Sequence, residues 1–68
     1  MFIRYKSILT NIGDIHKVEV VGVKLSIENT NGEVFEYDAM EDDVIDAFHS
    51  AILDNEPVVN ITDYSKEW

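Results

Sequence analysis

The sequence predicts an α+β fold: a three-stranded antiparallel meander, one amphipathic helix packed on the sheet, and a short C-terminal strand, in the order β-β-β-α-β. Three observations carry this. Apolar residues alternate with period two through the first half of the chain, as half-buried strands require. The period lengthens to 3.6 between about residues 40 and 54. A β-branched run, Val58-Val59-Asn60-Ile61-Thr62, follows Pro57.

Residues 1–10 read as the first strand. Met1, Ile3, Tyr5 and Leu9 take one face, and Arg4, Lys6 and Thr10 the other. Asn11, Ile12, Gly13 and Asp14 then supply turn chemistry. Residues 16–29 form a long β-rich run whose phase breaks. Val18 and Val20 sit on even positions, whereas Val21, Val23, Leu25 and Ile27 sit on odd ones. One regular strand cannot place both sets on one face. A bulge at Gly22 resolves the conflict, so the sequence predicts a single long strand kinked there. A sharp kink would curl the sheet towards a partial barrel.

The next hairpin is registered by its cross-strand pairs. A two-residue loop at Asn31-Gly32 sets Ile27 against Glu36 and Leu25 against Asp38. A three-residue loop of Thr30, Asn31 and Gly32 sets Ile27 against Phe35 and Leu25 against Tyr37. The second register makes aliphatic–aromatic pairs and places Gly32 in the left-handed region that such loops need.

Asp38 and Glu41 match a capping box ahead of a helix over 40–54. Val44, Ile45, Phe48, Ala51 and Ile52 form its apolar stripe, with Asp42, Asp46, His49 and Ser50 opposite. Asn55 suits a left-handed C-cap, and Pro57 stops the helix. The last strand, after the helix returns across the sheet, is expected to run parallel to the first.

Sixty-eight residues make one small domain, 1–68, and a core this small gains from a second subunit or a larger partner. The absence of cysteine removes disulfides and any Cys-based zinc site, and fits a reducing cytoplasm. Charges interrupt the apolar residues at the start, which argues against a signal peptide, and no run reaches a membrane span.

Charge carries the functional expectation. The formal net charge is −9, and residues 33–68 hold eleven acids against Lys66 alone. Phosphates and anionic headgroups repel such a surface, so direct nucleic-acid and membrane binding are not expected. The natural complement is a basic protein surface. Nucleophile elbow, phosphate loop and His-Glu-x-x-His motif are all absent from the sequence, and no enzyme activity is expected. Asp42, Asp46 and His49 at i, i+4 and i+7 could hold a metal loosely, but an exposed helix face is more simply solvated. No cofactor and no metal site is expected.

Nine acids fall within residues 33–56, a density that imitates a nucleic-acid backbone. Small acidic inhibitors of the kind phages encode act in this way, an analogy of size and charge only. The expected function is an acidic interaction module, an inhibitor or adaptor, whose helix face docks on a basic, nucleic-acid-binding protein. The candidate contact residues are Glu36, Asp42, Asp43, Asp46, His49, Leu53, Asp54, Tyr64 and Trp68. Leu53 is apolar on the polar face, and Tyr64 and Trp68 are aromatics on a polar tail that either fold back on the sheet or anchor a partner. The alternative is a homodimer or larger homo-oligomer, a structural or accessory protein closed by sheet edges or tail aromatics.

Overall fold

The computed structural model describes residues 1–66. Its elements in chain order are β1 (Phe2–Tyr5), β2 (Ile8–Asn11), β3 (Ile15–Val21), β4 (Lys24–Asn29), β5 (Val34–Tyr37), α1 (Val44–Leu53), β6 (Val58–Asn60) and a 3-10 turn at Thr62–Tyr64. The fold is α+β, with an antiparallel three-stranded meander, one amphipathic helix and a short C-terminal strand. The strands form two sheets, however, ordered β2-β1-β6 and β3-β4-β5.

The first expected strand is a hairpin. It turns at Lys6 and Ser7, so that Tyr5 pairs with Ile8 and Arg4 with Leu9. Leu9 therefore shares a face with Arg4 rather than with Ile3, and is 57 % exposed. The turn was illegible because it uses no glycine; Lys6 itself takes a φ of 57°.

The expected kinked strand is also a hairpin. Val20 pairs with Leu25, and Val18 with Ile27, around a two-residue loop at Gly22 and Val23. The break in apolar phase marks the reversal: even positions on β3 and odd positions on β4 share one face. Gly22, at φ 65°, occupies the first central position, as a type II′ turn requires. A bulge does occur in β3, but between Ile15 and Lys17.

The β4–β5 hairpin has the expected register. Ile27 faces Phe35 and Leu25 faces Tyr37. The Gly32 amide donates to the Asn29 carbonyl at 3.1 Å, and Gly32 has a φ of 84°.

β6 runs parallel to β1, pairing Ile3 with Val59. The core lies between the two sheets and α1. Ile3 comes from one sheet, Leu25 and Ile27 from the other, and Val44, Phe48 and Ala51 from the helix. Ile12, Met40, Val59 and Ile61 complete it.

The helix starts later than its capping-box signature suggests. Met40 is fully buried, donates its amide to the Val23 carbonyl at 2.8 Å, and bridges to Ser65. That pins residues 38–40 in extended and turning backbone, with Ala39 at φ 55°. Amides of Val44, Ile45 and Asp46 then reach three residues back, at 3.0–3.1 Å, to lead into α1. Asp43 holds the N-cap position without a side-chain cap bond. Asp38 is instead a surface carboxylate 4.0 Å from Lys24. Asp38→Ala should therefore shift stability by no more than about 0.5 kcal/mol in a thermal melt. A loss of about 1 kcal/mol, the usual worth of an N-cap, would contradict this placement.

At the other end Asn55 is the left-handed residue, with φ 54°. Its amide reaches the Ile52 carbonyl at 3.4 Å, and the Glu56 amide reaches that of Ala51 at 2.8 Å. This double bond pattern is a Schellman motif.

Candidate functional site

The two sides of the molecule carry charge differently. On the outer face of the meander, acids and bases are interleaved. Lys24 lies 3.6 Å from Glu36, Lys17 3.5 Å from Glu19, and His16 3.9 Å from Glu28. These exposed pairs contribute little stability, but they answer part of the acid on this face: Lys17 and Lys24 stand among Glu19, Glu28, Glu36 and Asp38.

The helix side has no such pairing. Glu41, Asp42, Asp43 and Asp46 cluster around the start of α1, Asp54 and Glu56 lie at its end, and Asp63 sits on the 3-10 turn, which is tied to the approach to the helix. All seven are exposed, and none forms an ion pair among the described residues. The first group suits the helix, since carboxylates near an N-terminus meet the positive end of the macrodipole. The second group does not. Asp54 is the C-cap, Glu56 lies two residues beyond, and the last turn holds no basic residue. Each such acid opposes the dipole by about 0.3–1 kcal/mol. A requirement for helix stability would put lysine there.

These late acids border a groove of about 340 Å³ between α1 and β6, which Ser50, Asn60 and Tyr64 also line. The 3-10 turn delivers Asp63 and Tyr64 to this groove. The Tyr64 carbonyl accepts the Glu41 amide at 2.7 Å, which ties the turn to the approach to the helix. Tyr64 is half-buried and packs against the core, so it folds back on the domain while lining the groove.

The expected contact residues are only partly brought together. Asp42, Asp43 and Asp46 share the helix start, and Asp54 and Tyr64 share the groove. Leu53 follows Asp46 by seven residues, nearly two turns, and so lies along the same helix line; it is 69 % exposed. His49, one turn from both Asp46 and Leu53, also lines a second groove with Ile15 and Val18 on β3. Glu36 lies on the meander, paired with Lys24. Trp68 is outside the described residues.

Asp42 precedes α1, so the helical spacing that would align it with Asp46 and His49 is not maintained. Among the described residues no three His, Asp or Glu side chains gather as a metal site would need. No helix among them is long and apolar enough to cross a membrane. Sequence reasoning counted Glu41 and Glu56 among the nine acids without naming them as contacts, and left out Asp63. Nothing local marks Asp63; the chain reversal after β6 carries it to the groove.

No family model matches the chain, and neither a curated protein nor a solved structure matches it.

Proposed function

We propose that the protein is a non-enzymatic interaction module that docks the acidic side of α1 on a basic surface of a protein partner, as an inhibitor or adaptor. The observation that carries this reading is the set of seven exposed carboxylates without cationic partners among the described residues, extended past a helix C-terminus where it costs stability. Solubility alone needs net charge but not this placement. A surface that binds nucleic acid is basic by necessity, so a docked acidic helix would occlude it. Leu53, bare among these acids, supplies an apolar anchor.

The test separates binding from folding by opposite signs. Asp46→Lys with Asp54→Lys should weaken capture of the partner at least about tenfold, chiefly through a slower association rate. Asp54→Lys alone should raise stability by about 0.3–1 kcal/mol, because it places a cation at the C-terminal end of the helix. The partner is recovered by affinity capture from the native host, binding is followed by surface plasmon resonance, and folding by circular dichroism. A folded double variant that binds like the parent excludes the acidic side as the contact surface.

A further inference from the structure

β3 is the longest strand and lies at an edge of its sheet. In a hairpin closed by a two-residue loop, the pair next to the loop is hydrogen-bonded, and such pairs alternate from there. Val21, Glu19 and Lys17 therefore turn their amides and carbonyls towards β4. Those of Val20 and Val18 point away, and no hydrogen bond within the described residues meets them; the bulge interrupts the alternation at His16. Beside this edge runs a groove of about 220 Å³, walled across from Ile15 and Val18 by Ile45, His49 and Ile52 of α1. Ile52 is 51 % exposed there although the helical stripe predicts it buried.

An exposed edge of this length invites another strand. A lone lysine would guard it, but Lys17 is answered two residues on by Glu19. We propose that β3 pairs antiparallel with β3 of a second copy about a two-fold axis at Val18, forming a six-stranded sheet across the dimer. Charge selects this register. With the axis at Val18, Lys17 of each copy stands opposite Glu19 of the other, in the closer, non-hydrogen-bonded pairing. With the axis one residue earlier, Lys17 would oppose Lys17; one residue later, Glu19 would oppose Glu19. The same symmetry brings the edges of Val18 into mutual hydrogen bonding and lays the second strand along the groove over Ile45 and Ile52. A two-fold contact is self-complementary, and the sequence Lys17-Val18-Glu19 has that property. The pairing uses none of the acids of the helix side, and its test reads self-association rather than capture of a partner. This pairing therefore stands or falls independently of the docking reading.

Sedimentation equilibrium of the full chain, from micromolar to millimolar concentration, should show a species of twice the 7.8 kDa chain mass. Lys17→Glu and Glu19→Lys should each weaken association by about tenfold or more, because two attractive pairs become repulsive. The double exchange, Lys17→Glu with Glu19→Lys, should restore it. Both side chains are exposed, and circular dichroism checks that each variant folds. A mixed isotope-labelled sample of the parent adds a readout without substitution: an interchain Hα–Hα contact between Lys17 and Glu19. A monomer throughout the range, a dimer indifferent to both single reversals, or no recovery in the double exchange would overturn the proposal.

Discussion

Replacing Phe48 with alanine is expected to unfold the domain at room temperature. Phe48 is 1 % exposed and is the largest fully buried side chain among the described residues. It enters the core from α1, where Leu25 and Ile27 of one sheet meet Ile3 and Val59 of the other. Truncating such a ring costs about 3–5 kcal/mol, through lost burial and the cavity left behind. A domain of this size holds about the same in total. Phe48→Leu keeps most of the volume and should remain folded, with a loss of about 1.5 kcal/mol or less. Urea unfolding followed by far-ultraviolet circular dichroism reads both. A Phe48→Ala variant that loses less than about 1 kcal/mol would mean that the helix does not join the two sheets.

Asn29→Ala should cost about 2–4 kcal/mol, more than any other polar truncation in the described chain. Asn29 is the buried polar residue of the core region, 3 % exposed. Its Nδ2 donates to the Ile12 carbonyl at 2.9 Å and to Glu33 Oε1 at 3.1 Å. Its Oδ1 accepts the amides of Asn31 at 3.0 Å and Glu33 at 2.9 Å. One side chain thus shapes the β4–β5 loop and ties it to the segment before β3. Alanine leaves a buried carbonyl and two amides without this partner, at about 1–3 kcal/mol for a group that water cannot reach. Loop exposure of Asn31 and Glu33 moderates the total. Asn29→Asp gives a second readout. Its carboxylate would keep the acceptor but face the Ile12 carbonyl and the Glu33 carboxylate. Burial and these neighbours favour its neutral form, so its folded pKa should lie above the unfolded value of about 3.9. The deficit relative to the parent should then be small near pH 4 and grow as pH rises. Equal deficits at pH 4 and pH 7 would contradict the assigned hydrogen bonds.

Much of the architecture was legible where pattern and turn chemistry agree. Gly32 and the pairing of Ile27 with Phe35 fix one hairpin, because the competing register sets apolar residues against acids. Asn55 and Pro57 mark the helix end. The parallel pairing of β6 with β1 follows from strand order. The β3–β4 reversal was written in the phase of Val18, Val20, Leu25 and Ile27, but Gly22 suits a bulge as well as a type II′ turn. The Lys6 turn carries no local signature at all. The capping-box reading failed because Met40 is drawn into the core, and burial outweighs a surface cap. Asn29 could have been suspected from its place at the first position of an Asn-Thr-Asn-Gly turn, where its side chain can bond the loop amides. The acidity of the helix side was legible in composition. Its separation from the ion-paired meander face, and the recruitment of Asp63, required the fold.

The docking account is tested most directly by a heteronuclear NMR titration of the labelled protein with its captured partner. Amides of residues 41–46, 53–56 and 63 should shift, and the shifts should collapse as salt shortens the Debye length. Those on the outer faces of β4 and β5 should stay in place. The exposed face of the β2-β1-β6 sheet, with Phe2, Leu9 and Val58, is the competing surface. Shifts centred there, insensitive to salt, would contradict the account.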